Sequence, residues 1–484
     1  MTDQPLAQTV PSRRKRLVIL GICSMSLLIV GLDSTIVNVA LPSIRRSLHS
    51  SLAGLQWTVD AYTLVLSSLL MMSGSTADRL GRRRIFQLGL YVFSLGSLLC
   101  ALAPNLGALI AARVVQAVGG SMLNPVAMSI IRNVFVDPRE RSQAIGVWGG
   151  VVGISMALGP VLGGALVDSV GWRSVFVVNV PIGVLAIVLT TLFVPESRSE
   201  RPRRIDPVGQ VLVLVALASL TYGMIEAPVA GWLSAQTLGL LAVSIASFTS
   251  FVLYELRHCE PLLEVRFFRS APFSGATVIA VATFAAMGGF LFLNTLYLQA
   301  VRGLSPLQAG LYTLPMAVAM LVVAPLSGRF IATRGMRAPL VGGGLALLAS
   351  GVILAQMTER TPIVTLIVAY VLFGLGSGMI NPPITNTAVS GMPPSEAGVA
   401  ASVASTARGV GQTLGVAVFG SLVGASGAIT NGFTTSTHAG WYVVSGIGIG
   451  VLVLGFVTTT AWANTTARRI APLFADTASG AARA

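Results

Sequence analysis

Three charged side chains lie in stretches otherwise too apolar to hold them: Asp33 after Ile29-Val30-Gly31-Leu32, Asp60 within Trp57-Thr58-Val59-Asp60-Ala61-Tyr62, and Arg113 within Ala111-Ala112-Arg113-Val114-Val115. An ionisable group inside a lipid-spanning helix costs about 2.5–3.5 kcal/mol even on a lenient insertion scale, so each needs a use. Burial favours a protonated acid and a neighbouring guanidinium favours the ionised one. An aspartate near Arg113 can therefore load a proton in one conformation and release it in another. The expectation is that Asp33 and Asp60 alternate between proton and cationic substrate beside a central vestibule, with Arg113 setting the balance. A static Asp33–Arg113 pair that only fixes helix packing is the competing reading.

Other chemistries lack their parts. The single lysine, Lys15, stands in Ser12-Arg13-Arg14-Lys15-Arg16 without the glycine loop of a phosphate cradle. His49, His258 and His438 are isolated and show no His-Glu-x-x-His spacing, so no metal site and no cofactor are expected, nor is an enzyme. Cys23, Cys100 and Cys259 are far apart and odd in number, which leaves neither a disulfide framework nor a Cys-x-x-Cys pair.

The elements that must position these residues follow from composition. Of 484 residues, 54% are hydrophobic and only 10% charged, with a mean hydropathy of +0.81. Soluble domains run near ~45–50% apolar and ~25% charged, so a water-soluble fold is excluded, and intrinsic disorder with it. The net charge of +14 does not point to nucleic acid, because the basic residues fall between apolar runs rather than on a soluble module.

A helix needs about 20 apolar residues to cross a hydrocarbon core of ~30 Å, and only a helix or a closed barrel satisfies its own backbone there. Fourteen runs qualify: 17–41, 53–73, 85–103, 106–131, 143–167, 174–194, 208–226, 232–254, 272–298, 308–330, 339–357, 362–390, 398–423 and 438–463. The first is too long for a signal-peptide core and contains Asp33, so it stands as a span. With the N terminus in the cytoplasm, 23 of the 31 Lys and Arg fall in inside segments and five in outside loops. The other three, Arg113, Arg329 and Arg408, lie within spans. That bias fixes the orientation, with both termini cytoplasmic in a cell membrane. Asp33, Asp60 and Arg113 then share a layer ~10–12 Å below the outer surface, at 1.5 Å per residue.

An internal repeat sets Gly74-Ser75-Thr76-Ala77-Asp78-Arg79-Leu80-Gly81-Arg82-Arg83 beside Gly328-Arg329-Phe330-Ile331-Ala332-Thr333-Arg334-Gly335-Met336-Arg337. Both read Gly-x6-Gly-x-Arg after an even-numbered span. If the seventh and eighth spans are an insertion, the remainder divides into six plus six, the build of a transporter whose halves rock.

These residues carry a resemblance. The stretch from Gly74 through Asp78, Arg79, Gly81, Arg82 and Arg83 is close to the GxLADRxGRK loop of the major facilitator superfamily, with Thr76 in the leucine position. Arg113-Val114-Val115-Gln116-Ala117-Val118-Gly119-Gly120 is similar to its RxxQGxG. In the fifth span Gly146, Ser155, Gly159, Pro160, Gly163 and Gly164 resemble the antiporter signature of export members, Ser155 standing where a glycine is expected. Leu32-Asp33-Ser34-Thr35-Ile36-Val37-Asn38-Val39-Ala40-Leu41-Pro42, Gly171-Trp172-Arg173 with Phe176, Asn179 and Pro181, and Trp57 to Tyr62 narrow it to the fourteen-helix drug:proton antiporters of the quaternary-ammonium efflux type.

The resemblance implies an all-α polytopic membrane protein of the major facilitator fold, two six-helix bundles plus two extra helices. Its expected units are a tail 1–16, a bundle 17–194, a linker with two helices 195–271, a bundle 272–463 and a tail 464–484. It implies an inner gate in which Asp78 pairs with arginines across the closed interface. By depth and polarity, the substrate wall is expected from Asn38, Trp57, Tyr62, Gln116, Asn124, Trp148, Asn294, Tyr297, Tyr312, Asn381, Asn386 and Arg408, an apolar pocket with a few placed polar groups. The function so implied is proton-coupled efflux of amphiphilic, cationic compounds by a monomer in a lipid bilayer, its partners being the small-molecule substrate and protons. A dedicated exporter of one neutral or anionic metabolite, with Arg408 binding it, and a membrane receptor or scaffold that never turns over are the alternatives.

Overall fold

The structure is a computed structural model and describes residues 12–199, 205–258, 261–389, 397–424 and 432–469. Cys259, most of the C-terminal tail and the first eleven residues lie outside that set. Helices account for nearly all of it: α1 (Arg13–Leu48), α2 (Leu52–Leu80), α3 (Arg82–Leu102), α4 (Leu106–Val134), α5 (Pro138–Ser169), the short α6 (Ser174–Val177) running into α7 (Asn179–Phe193), α8 (Pro207–Ala230), α9 (Ala235–Glu255), α10 (Ala271–Leu296), α11 (Pro306–Arg334), α12 (Arg337–Leu354), α13 (Ile363–Val389), α14 (Ala397–Gly424) and α15 (Phe433–Val457).

Among the described residues twelve helices are long and apolar enough to cross a membrane. The long α2 and α14 are not among them. In α2 the reason is visible: Gln56, Thr58, Asp60, Thr63, Ser67, Ser68 and Ser73 are all buried and dilute its apolar content. These polar groups face protein, where they cost less than in lipid.

Helix ends follow local chemistry. Ser51, Asn105 and Ser234 cap α2, α4 and α9 by accepting a backbone N–H from the first turn. At α11, Ser305 and Gln308 form a reciprocal capping box around Pro306, the first helical residue. The stretch from Gly74, expected as a loop, is instead helical through Leu80. Only Gly81 breaks it, at φ +117°, and its counterpart in the repeat, Gly335, ends α11 at φ +82°. A residue with a Cβ is strained at both places, which explains why this glycine recurs.

Helix pairing repeats as well. In the first part of the chain α1 packs on α5, α2 on α4, and α3 on α4 and α7. In the last part α10 packs on α14, α11 on α13, and α12 on α13 and α15. Two seams join the sets, α5 against α11 and α2 against α14. We call the side where α1 begins the near face and the side where it ends the far face.

Both seams are tight toward the far face. Asp168 Oδ2 at the end of α5 accepts from Ser305 Oγ (2.8 Å) and Leu307 N (3.0 Å) at the start of α11. Gln299 Nε2 donates to the Val39 carbonyl at 2.8 Å. Gln56 Nε2 donates to the carbonyls of Val416 (3.2 Å) and Ala417 (3.1 Å), and Thr413 Oγ1 to Thr63 Oγ1 at 2.9 Å. Toward the near face, Gly146 and Gly150 of α5 look onto open space. Helix α8 lies over the α2–α14 seam, with Gln210 Nε2 on the Ser68 carbonyl (2.6 Å) and Tyr222 5.7 Å from Trp57, and α9 packs on α8.

Candidate functional site: a buried aspartate–arginine centre

Asp33 and Arg113 meet. Arg113 Nη1 donates to Asp33 Oδ2 at 2.6 Å, and Gln116, one turn on in α4, donates through Nε2 to Asp33 Oδ1 at 2.8 Å. Asn179 Nδ2 adds a third bond to Oδ1 at 3.2 Å. Gln116 and Asn179 also both donate to Ser97 Oγ, which donates in turn to the Phe176 carbonyl. Arg113 spends its Nε on the Thr58 carbonyl (3.2 Å) and lays its guanidinium 4.1 Å over the Tyr62 ring. Three helices thus meet at one carboxylate that is 0% exposed, against an arginine that is 1% exposed, and α2, α3 and α6 complete the network around them. Each charge is matched and each Asp33 oxygen has a donor, the condition under which a buried pair is tolerable.

Asp60 is treated differently. It is equally buried, yet among the described residues neither carboxylate oxygen has a hydrogen-bond partner. It sits four residues after Gln56 and three before Thr63, so it shares the helix face that those two present to α14. One acid lies inside the first helix set, the other on a seam between the sets. Both were expected beside Arg113 and an open vestibule; Arg113 serves Asp33 alone, and neither acid reaches solvent in this conformation.

The fifth-span glycines divide between two neighbours. A Cβ on Gly159 or Gly163 would strike Thr35 and Ile36 of α1, whereas Gly164 lies against Pro306 and Leu307, and Gly310 of α11 against the Pro160 carbonyl. A 100° turn per residue lets one motif serve both contacts, α1 within the set and α11 across the seam.

Around Gly81 the acid that matters was missed by the sequence reading. Glu196 Oε1 accepts from Arg83 N (3.1 Å) and Oε2 from Arg84 N (3.3 Å), so a carboxylate closes the first turn of α3. In this conformation Asp78 pairs with Arg82 four residues on, at 2.9 Å. Arg79 is exposed, and Arg83 Nη2 bonds the Thr191 carbonyl.

The expected substrate wall is scattered. Tyr62 and Gln116 belong to the Asp33 centre. Trp57 faces Tyr222 of α8, and Trp148 Nε1 donates to the Cys23 carbonyl at 3.3 Å. Asn294 accepts from Tyr370, and Tyr297 donates to the Thr358 carbonyl at 2.7 Å beside Arg302. Tyr312 lines a small gap with Leu298, Arg302 and Tyr370. Arg408 Nε donates to Asn381 Oδ1 at 3.1 Å, and its Nη2 to Thr385, with Phe284 5.8 Å from its guanidinium. Asn386 is exposed, and the half-buried Asn124 has an unpartnered Oδ1. Asn38 lines a cavity between α1, α5, α10 and α11.

Residues 23–416 match the model of the Major Facilitator Superfamily. The chain belongs to that superfamily. It is 37% identical over 412 residues to the multidrug resistance protein Stp of Mycobacterium tuberculosis, covering 85% of this chain and 76% of that one. It is 40% identical over 403 residues to the tetracenomycin C resistance and export protein of Streptomyces glaucescens (83% and 74% covered), and 36% identical over 406 residues to the multidrug efflux pump LfrA of Mycolicibacterium smegmatis (84% and 80%). Among solved structures, a bacterial homologue of the human lysosomal transporter Spinster in an inward-facing, unoccupied conformation superposes with a TM-score of 0.63 at 18% identity, covering 95% of this chain and 98% of that one. At that identity the likeness concerns the fold alone.

Proposed function

We propose that this superfamily member is a proton-driven exporter of amphiphilic, cationic compounds, working by alternating access in the cell membrane as a single polypeptide. In this reading fourteen helices span the bilayer, with α2 and α14 among them and α8–α9 as the inserted pair. Bundles 17–194 and 272–463 rock about the α5–α11 and α2–α14 seams, the near face is cytoplasmic, and the state described is open toward it.

The observation that carries the reading is the contrast between two buried acids. Asp33 is held by Arg113, Gln116 and Asn179, so its charge is compensated in this conformation. Among the described residues Asp60 has no donor, and it sits on a seam. An ionised carboxylate without a partner costs several kcal/mol in such a place. Closing the far seam over Asp60 therefore requires it to carry a proton, taken up while that seam is open. Loss of the proton toward the near face drives the seam open again. The membrane supplies about 2.3 kcal/mol per charge per 100 mV for this cycle. The export relatives named above give the direction of transport.

A second reading, a dedicated exporter of one anionic metabolite, is favoured by Arg408, whose half-buried guanidinium has, among the described residues, only the neutral Asn381 and Thr385 as hydrogen-bond partners. Reconstituted vesicles with an imposed pH gradient test both. Uptake of a cationic dye that collapses with the gradient supports the first reading; gradient-driven uptake of organic anions with none of the dye supports the second, and no uptake of either rejects both.

A further inference from the structure

Between the two helix sets, under the far-face seal, lies a cavity lined by Thr35, Asn38, Pro160, Leu291, Thr295 and Thr313. Its free space of about 10 Å³ holds roughly one water molecule or one polar group. Asn38 is 2% exposed; its Nδ2 donates to the Ser34 carbonyl at 3.1 Å, while its Oδ1 has no partner among the described residues. Of the other hydroxyls, Thr35 Oγ1 donates to the carbonyls of Gly31 and Leu32, and Thr313 Oγ1 to that of Gly310, which leaves these oxygens facing outward as acceptors. The lining therefore offers acceptors, one side-chain hydroxyl uncommitted among the described residues, that of Thr295, and no free amide donor. A buried amide oxygen left bare costs about 1–3 kcal/mol, so an occupant that donates to it is favoured.

The position suits a recognition point. Its walls come from α1 and α5 on one side and α10 and α11 on the other, so any relative motion of the two sets changes its size. The Asp168–Ser305 and Gln299–Val39 bonds cover it from the far face.

We propose that this cavity is a substrate subsite in which Asn38 Oδ1 accepts a hydrogen bond from an N–H-bearing ammonium group, making Asn38 a specificity-determining residue that separates protonated amines from quaternary ammonium ions. The proposal rests on the export reading above. A quaternary head has no N–H and meets the same oxygen only through its methyl groups, so it gains no N–H hydrogen bond from Asn38.

The test uses the purified full chain and a matched pair of cations, N-benzyldodecylammonium and benzyldodecyldimethylammonium, at a pH where both are charged. Affinity is read by displacement of a fluorescent dye, in the native protein and in Asn38→Leu and Asn38→Asp. Asn38→Leu should weaken the secondary ammonium about tenfold, equivalent to 1.4 kcal/mol, and shift the quaternary ion less than twofold. Asn38→Asp keeps the acceptor and should retain the preference. Equal loss for both cations in Asn38→Leu, or no change in their ratio, overturns the subsite and assigns Asn38 to packing. Dye binding in each variant reports that the protein is folded. If the native protein binds neither cation, the export reading fails; if it binds both and only the ratio is insensitive to position 38, that reading stands and the subsite falls.

Discussion

Arg113 Nη1 lies 2.6 Å from Asp33 Oδ2, with both side chains sealed from solvent, and the same nitrogen reaches Gln116 Oε1 at 2.8 Å. A buried pair of this kind contributes little net stability against an apolar replacement, yet removing one partner strands the other. Asp33→Asn and Arg113→Gln should each destabilise the detergent-solubilised protein by about 3–5 kcal/mol, seen as a lowered midpoint of thermal unfolding. The double variant should lose much less than the sum, because no charge is then left alone. Additive losses would mean that the pair is not coupled.

Asp60→Asn should behave in the opposite way. Neither oxygen of Asp60 has a partner to lose, and the amide is neutral, so the thermal midpoint should stay put or rise. Dye binding should persist while accumulation driven by a pH gradient disappears. Normal gradient-driven transport by Asp60→Asn would remove this acid from the coupling scheme.

How much of this was legible in the residues differs by level. The lipid-spanning character follows from apolar runs that no soluble fold could bury, and Gly81 and Gly335 announce their breaks through a repeated spacing. Asp33, Asp60 and Arg113 stand out because charge is costly there, and depth alone puts them in one layer. Depth does not give rotation about the helix axis, so which acid Arg113 serves was not readable. Asn179 and Ser97 come from α7 and α3, where a single Asn or Ser looks like ordinary packing polarity. Glu196 carries no spacing signal at all: it acts because the chain after α7 returns to the first turn of α3, a tertiary event.

Glu196→Ala should cost about 1–2 kcal/mol, since it leaves two N–H groups at the start of α3 without their acceptor. Asp78→Ala should cost less, because its bond to Arg82 is a part-exposed contact four residues apart on the chain. Thermal unfolding of the two variants side by side checks the order; an equal or reversed order would show that Asp78 has a partner beyond Arg82.

Asp168 ties the two helix sets at the far face through two bonds into the start of α11. Asp168→Ala should remove about 1–2 kcal/mol from the far-closed state, a five- to thirty-fold rise in the far-open population if that state is minor. With the native cysteines replaced, a Thr313→Cys reporter in the cavity below should then react faster with a membrane-impermeant maleimide added from the far side. An unchanged rate would mean that the apolar seam, not Asp168, holds this end shut.

The α5–α11 seam offers a sharper test of whether the two helix sets move as units. Gly310 backs directly onto the Pro160 carbonyl, and a methyl group there has backbone, not a yielding side chain, in its way. Gly310→Ala should therefore disfavour the far-closed state. If each set is rigid, opening one seam must open the other, because α2 is fixed to α4 and α1 to α5 on one side, and α14 to α10 and α11 to α13 on the other. A cysteine placed at Gln56, on the opposite seam, should then gain far-side reactivity in Gly310→Ala although the substitution touches neither α2 nor α14. Reactivity confined to reporters on α5 and α11 would show local loosening instead, and with it a gate that opens one seam at a time.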